Sequence, residues 1–217
     1  MGTMDKRIVL PKRAIVHKAS PDDPVDYYYH PIYRLIYVRR LTLALELLEG
    51  KPTDRLLEIG YGSGILLPEL SRRSRRLDAV DRHEGLDGVS RMLKALGVVA
   101  TLRVGDIYSL PYGTGEFNTV VCLSVLEHLT DLDRACQEMD RVLAPDGTAV
   151  VGFPVANALT SALFRWLGYR ASEIHPSSHT QILSALRCRF DVRRIARLPA
   201  VLPLSFGLYV ACQCKKS

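Results

Sequence analysis

Residues 56–64 read Leu56-Leu57-Glu58-Ile59-Gly60-Tyr61-Gly62-Ser63-Gly64, an apolar strand that runs without a linker into three alternating glycines. Ile65–Arg72 follows at once with the apolar spacing of a helix. Glycine belongs where a backbone must turn sharply and let a ligand come within van der Waals contact. Strand, glycine turn and helix in immediate succession open a βαβ unit, which commits the chain to a parallel sheet covered by helices. A tight βα turn with no ligand is the other use of the same glycines.

The rest of the chain keeps the alternation. Strands are predicted over Arg55–Ile59, Leu77–Val80, Val98–Val104, Asn118–Leu123 and Thr148–Phe153. Helices are predicted over Pro31–Glu49, Ile65–Arg72, Gly85–Leu96 and Asp131–Leu143, the last with Asp131 as its N-cap. Pro145-Asp146-Gly147 reads as a turn. Beyond Pro154 come a helical piece (Leu159–Leu167), a polar loop (Ala171–His179), a helix (Gln181–Arg187) and two strand-like runs near Phe190–Ala196 and Phe206–Cys214. Two strands with no helix between them imply an antiparallel pair. The expected fold is therefore α/β, a doubly wound seven-stranded sheet, mostly parallel, with an antiparallel hairpin at its C-terminal edge.

Composition narrows the class. Of 217 residues, 47% are apolar and 24% charged, enough for a sizeable core and unlike a disordered or fibrous chain. No apolar run approaches the roughly 20 residues of a membrane span. The N-terminus lacks the apolar region of a signal peptide. Cys122, Cys136, Cys188, Cys212 and Cys214 are odd in number and form no C-x-x-C pair, so they read as reduced core thiols in a cytoplasmic protein. The formal net charge is +6, with basic patches at Lys6–Lys18, Arg72–Arg76, Arg187–Arg197 and Lys215–Lys216. Clustered base suits nucleic acid or an anionic membrane, but no aromatic residues interleave with it, and the patches are read as solvated surface.

Two carboxylates continue the pattern that the glycines start. Asp81 ends the second strand about twenty residues past the turn, where a carboxylate can accept both hydroxyls of a ribose. The same residue can instead cap the following helix. After the third strand, Gly105-Asp106-Ile107 places an acid where an adenine amino group could donate to it, or where a turn needs one. Glycine turn and two acids at successive strand ends together describe an adenosine site.

In these residues the chain resembles the class I S-adenosylmethionine-dependent methyltransferases, in particular the small single-domain group with the methyltransferase domain 11 type of motif. The carriers are LLEIGYGSG at 56–64, LDAVD at 77–81, VGDIYSLPY at 104–112, FNTVVCLSVLEHL at 117–129 and RVLAPDGTAVV at 141–151, within Arg55–Phe153. The resemblance implies a Rossmann-like sheet and S-adenosylmethionine as cofactor, with S-adenosylhomocysteine as product. It implies that Gly60, Gly62 and Gly64 cradle the methionine part and that Glu58 helps to hold its ammonium. Asp81 would take the ribose diol, Asp106 and Ile107 would bracket the adenine, and Leu123 and Ser124 would line the methionine side. It further implies an N-terminal arm or lid over 1–30 and one methyltransferase domain over 31–217, with a cofactor half at about 55–153 and acceptor-side elements at 154–205. Tyr61 stands where relatives usually have Cys, Ala, Thr or Pro, and Asn118 where Asp is usual. A nicotinamide-binding fingerprint would need glycine at 65, where Ile65 stands, and nothing in the turn is arranged for a pyrophosphate.

The acceptor is less constrained. His128, in Leu126-Glu127-His128-Leu129, stands where the family's cleft opens and suits removal of a proton near neutrality; bracing the cofactor loop is the other reading. Metal-using branches have E-x-x-E-H, and here Ser124 replaces the first Glu, so no metal is expected. His175 and His179 read as polar loop residues, with acceptor binding as the alternative. Ser124-Val125-Leu126-Glu127 replaces the Asn/Asp-Pro-Pro-aromatic turn of DNA amino-methyltransferases. The expected acceptor is a small molecule, a hydroxyl or amine on an apolar or aromatic compound. Tyr27–His30, Leu163–Tyr169 and Leu198–Phe206 would roof it, unless they are plain core. An RNA-directed methyltransferase and a non-catalytic cofactor-binding protein are the alternatives.

Overall fold

The computed structural model describes residues 8–20, 23–48, 53–155, 157, 176–201, 203 and 207–216. The expected helix Leu159–Leu167, the segment Leu163–Tyr169 and His175 lie outside them. The strands are β1 (Thr53–Ile59), β2 (Ser74–Asp81), β3 (Thr101–Val104), β4 (Phe117–Leu123), β5 (Leu143–Pro154), β6 (Phe190–Leu198) and β7 (Tyr209–Lys216). The helices among the described residues are α1 (Arg34–Leu47), α2 (Leu67–Ser71), α3 (Leu86–Ala95), α4 (Leu132–Val142) and α5 (His179–Arg189), with short 3-10 turns before α1 and before α4.

All seven strands join one sheet in the order β3-β2-β1-β4-β5-β7-β6. β1 to β5 pair in parallel, and β7 runs antiparallel to both β5 and β6. The C-terminal hairpin is thus present, and its last strand is the inner one. Sequence explains the order: β7 is buried from Tyr209 to Cys214, whereas β6 exposes Arg193, Arg194 and Arg197. The apolar strand takes two neighbours and the charged strand takes the edge, where charge discourages pairing with a further chain.

Several boundaries differ from expectation. β2 starts at Ser74, so two exposed arginines, Arg75 and Arg76, extend it beyond its apolar part. β3 begins at Thr101 rather than Val98. Pro145-Asp146-Gly147 does not interrupt β5 but bulges from it: Phe117 faces Leu143 while Thr119 faces Thr148, and Asp146 takes a φ of +61°. Asp131 does cap α4, its Oδ1 accepting from the Arg134 N–H at 3.1 Å. Ser178 and Gln181 form a capping box that starts α5 two residues before the expected point.

The sheet separates two cores. Val120, Cys122 and Val151 pack with Met139 of α4 and Ile182 and Leu186 of α5. On the other face Leu56, Ala79 and Val121 pack with Leu67 of α2, Met92 of α3, Leu41 of α1, and Val16, Val25 and Tyr28 of the segment before it. Four of the cysteines are buried and free, and Cys188 is exposed. No helix among the described residues is long and apolar enough to cross a membrane.

Candidate active site

The parallel sheet brings the C-terminal ends of β1, β2, β3 and β4 to one edge. Ile59 stands beside Val80 and Cys122, and Asp81 beside Val104. β1 is flanked by β2 on one side and β4 on the other, so the connections leave it in opposite directions and open a crevice there. Every strand-end residue singled out in the sequence lies along this edge: Glu58 and the glycines after β1, Asp81 on β2, Asp106 and Ile107 after β3, Leu123 and Ser124 at β4, and His128 just beyond.

The turn after β1 needs its glycines. Gly60 and Gly62 have φ of +76° and +51°, a region that L side chains rarely adopt. At Gly60 a Cβ would also collide with Cγ2 of Val125, in the loop after β4. The Gly62 N–H donates to Asp81 Oδ2 at 2.8 Å, and the His83 N–H donates to Asp81 Oδ1 at 3.3 Å. Asp81 does not cap α3, whose N-cap is Gly85. It braces the glycine turn instead. His83 adds to this, its Nε2 lying 3.0 Å from the Gly62 carbonyl and its ring meeting Tyr61 edge to face.

Glu58 is buried, and its Oε2 has no hydrogen-bond partner. Burial, with the nearby Asp81 charge, pushes its carboxyl up to about 8. A buried acid beside another acid, with a bare oxygen at a ligand-sized turn, is arranged for an incoming cation. Its cost to the fold has a definite sign. The folded-state value lies above the ordinary 4.5, so the native state holds the proton more tightly and stability falls as pH rises from about 4.5 to about 8. Glu58→Gln is therefore expected to raise the melting temperature at pH 8.5 and to leave it nearly unchanged at pH 5. An equal gap at both pH values would show that titration of Glu58 is not the cause.

The end of β3 is less committed. Asp106 is exposed and its Oδ1 accepts from the Tyr108 N–H at 2.9 Å, a turn-forming bond, while Ile107 is buried. At the end of β4, Ser124 has a φ of +57°, a strained value for a residue with a side chain. Its Oγ accepts from Arg40 Nη2 at 2.6 Å and lies 3.1 Å from the Tyr209 hydroxyl. A 3-10 turn over Leu126–His128 follows, with Glu127 buried and His128 exposed. Burial pushes the Glu127 carboxyl up to about 7, against the pull of its own backbone N–H and of Arg40, and its Oε2 has no partner.

The segment before α1 reaches the same turn. Asp23 accepts from the N–H groups of Ala19 and Val25 at 3.0 and 2.9 Å, and the Ser63 hydroxyl lies 3.5 Å from its Oδ1. Burial raises its carboxyl. His179 opens α5, with Nδ1 buried and unpartnered, and burial lowers its basicity. Asp23, Arg40, His83 and Tyr209 were not foreseen from sequence. Arg40 and Tyr209 carried no local signal, whereas Asp23 and His83 sit in polar turns that offered a weak one.

Residues 57–151 match the family described as a methyltransferase domain. Over 151 residues the chain is 38% identical to a malonyl-[acyl-carrier protein] O-methyltransferase of Geobacter sulfurreducens, a match covering 66% of this chain and 52% of that protein. It is 33% identical over 135 residues to a demethylmenaquinone methyltransferase of Deinococcus radiodurans, covering 58% of this chain and 54% of the other. The chain thus spans about half the length of these relatives. Among solved structures, a geranyl diphosphate methyltransferase in complex with SAM superposes with a TM-score of 0.65 at 18% identity, over 91% of this chain and 93% of that one. The N-methyltransferase NodS of Bradyrhizobium japonicum WM9, in complex with S-adenosyl-L-homocysteine, gives 0.63 at 20% identity, over 92% and 94%. At these identities the structural likeness speaks for the fold.

Proposed function

The chain belongs to the class I S-adenosylmethionine-dependent methyltransferases through the domain at residues 57–151, and from that premise we propose that it methylates a small-molecule acceptor, a hydroxyl or amine on an apolar or aromatic compound. The observation that carries this reading is the bare, buried Glu58 oxygen at the glycine turn, beside Asp81. S-adenosylmethionine, when bound, supplies a methyl group on a positive sulfur, already activated for in-line displacement.

What the protein adds is placement. Glu58 would receive the ammonium, the backbone of Gly60, Gly62 and Gly64 would line the methionine part, and Asp81 would accept from the ribose hydroxyls. Asp106 keeps one oxygen outside its turn bond for the adenine amino group, with Ile107 against the ring. Leu123 and Ser124 would close the methionine side. Residues 1–30 would act as the arm or lid of a single domain over 31–217, and the seating of Asp23 against Ser63 supports that role. Elements at 154–205 would cover the acceptor, and excluding water there is most of what such a displacement asks of a protein. The acceptors named for the two relatives, a malonyl-acyl-carrier protein and demethylmenaquinone, support an organic acceptor. His128 would take the acceptor's proton. The buried free cysteines suit a reducing compartment such as the cytoplasm.

Calorimetry tests the cofactor directly. The wild-type chain is expected to bind S-adenosylhomocysteine with a Kd in the micromolar range, about −8 kcal/mol. Asp81→Ala is expected to weaken this by about tenfold or more, through loss of charge-assisted hydrogen bonds and of the Gly62 brace. Equal affinities would remove Asp81 from the site. Tight NADH binding with none for the adenosyl ligand would overturn the assignment. Release of homocysteine-bearing product across a panel of hydroxylated aromatics, quinones and amines then identifies the acceptor class.

A further inference from the structure

The start of α1 leaves apolar side chains in water. The Arg34 N–H donates to the His30 carbonyl at 3.0 Å, so the chain already turns helically through Pro31–Tyr33. Ile32 and Leu35, three residues apart, therefore share one face, and they are 72% and 79% exposed. Arg34, between them in sequence, is exposed as well. Beside them stand the half-buried rings of Tyr27, Tyr33 and Tyr37. Tyr27 meets Tyr33 edge to face and stacks on Tyr37, and His30 stacks on Tyr33 at 4.4 Å. Arginine and aromatic residues interleave here, as they do not in the basic patches.

The topology turns this face toward the mouth of the crevice. α1 ends at Leu47 and β1 begins at Thr53, so the last turn of α1 lies toward the edge where the parallel strands begin. Its first turn then lies toward the edge where they end, in agreement with the reach of Arg40 to Ser124. β6 runs parallel to β5, because β7 is antiparallel to both, and so it ends at the same edge. Its last residue, Leu198, packs in one cluster with Leu43 and Ala44 of α1, and Val201, three residues on, is 88% exposed.

Charge and exposure select the partner. The chain carries a formal net charge of +6, and near the rings one acid, Asp26, serves two cations, Arg13 at 2.7 Å and Lys18 at 2.9 Å. A second copy seated about a twofold axis would set this basic face against itself. A protein partner would have to seal around side chains that stand almost clear of their neighbours. An anionic lipid surface needs neither. Ile32 and Leu35 would enter the acyl boundary, the tyrosine rings would lie at the headgroups, and Arg34 would meet the phosphates.

We propose that the start of α1, through Ile32, Tyr33, Arg34 and Leu35, docks the chain on an anionic membrane surface with the mouth of the crevice toward the lipid. The docking rests on exposure and charge. What it would deliver, an apolar acceptor dissolved in the bilayer, rests on the methyl-transfer reading.

The test is co-sedimentation of the full chain with vesicles, without cofactor or acceptor. One set is phosphatidylcholine alone, the other an equal mixture of phosphatidylcholine and phosphatidylglycerol. Wild type is expected to bind the anionic vesicles about tenfold or more tightly than the neutral ones at physiological salt. On the anionic vesicles the double variant Ile32→Ser/Leu35→Ser should lose about tenfold or more, through the lost apolar insertion. Arg34→Glu should lose about tenfold there, through reversed charge. Both should keep the wild-type melting temperature, because these side chains stand in water. Absence of wild-type binding to anionic vesicles, or binding by either variant equal to wild type, overturns the proposal. A wild type that sediments as a dimer, and that Ile32→Ser/Leu35→Ser makes monomeric, assigns the face to a second copy and overturns it too. Should the double variant fail to fold, Leu35→Ser alone is expected to show a smaller loss of the same kind, and no loss overturns the proposal. No adenosyl ligand enters this measurement. A chain that binds vesicles but not S-adenosylhomocysteine therefore sinks the methyl-transfer reading and supports the docking.

Discussion

Replacing His128 with alanine is expected to lower kcat by roughly 10²–10⁴-fold while leaving donor affinity nearly unchanged. A hydroxyl or ammonium acceptor must lose a proton as it takes the methyl group, and only neutral imidazole can receive it. The wild-type kcat should therefore rise with pH through one ionisation that the variant lacks. His128 is exposed and closes the 3-10 turn that follows β4, four residues past the strained Ser124. Glu127 is the control, because it is buried and its Oε2 is bare. If Glu127→Gln loses the pH limb while His128→Ala keeps it, the proton goes to Glu127. If His128→Ala weakens S-adenosylhomocysteine and spares kcat, His128 braces the loop.

Gly60→Ala is the second large effect, and it acts on the fold as well as on the site. A φ of +76° costs a residue with a Cβ about 1–3 kcal/mol. The collision with Val125 adds a further overpacking cost of about 1–3 kcal/mol. Together these are a large share of the roughly 5–15 kcal/mol that holds a domain folded. At about 2–4 °C per kcal/mol for a chain of this size, the melting temperature should fall by roughly 10 °C. Val125 immediately follows Ser124, so its displacement should also weaken S-adenosylhomocysteine. Two comparisons divide the cost. Among the described residues Gly62→Ala meets only Asp23 Oδ2, at 3.7 Å, and should cost the backbone part alone. Adding Val125→Ala to Gly60→Ala removes the collision and should recover about half the loss. No recovery in the double variant would leave the collision without a role.

Much of the fold was legible because it is specified locally. The apolar run of β4 and the alternation of strand and helix each depend on residues a few positions apart, and that spacing is what a sequence displays. The gathering of the candidate residues at the ends of β1 to β4 was legible for a related reason: in a parallel α/β sheet every strand ends at the same edge, so residues far apart in sequence are brought together by topology alone. Asp81 ends β2 as expected, but its hold on the Gly62 N–H was not visible, since that bond depends on how closely β2 stands beside the turn.

The sequence by itself determined the parallel sheet, the glycine turn and the acids that face it. The tertiary structure alone decided what surrounds them. β7 lies inside β6 because the sheet gives its inner place to the strand that can bury both faces, a comparison between two segments that neither makes alone. Ser124 meets Arg40 and Tyr209 across 84 and 85 residues, through the docking of α1 and β7 against the end of β4. The proton affinity of Glu58 is likewise no property of Glu58. It is set by burial among neighbouring elements and by the charge of Asp81, and both exist only once the chain has closed around them.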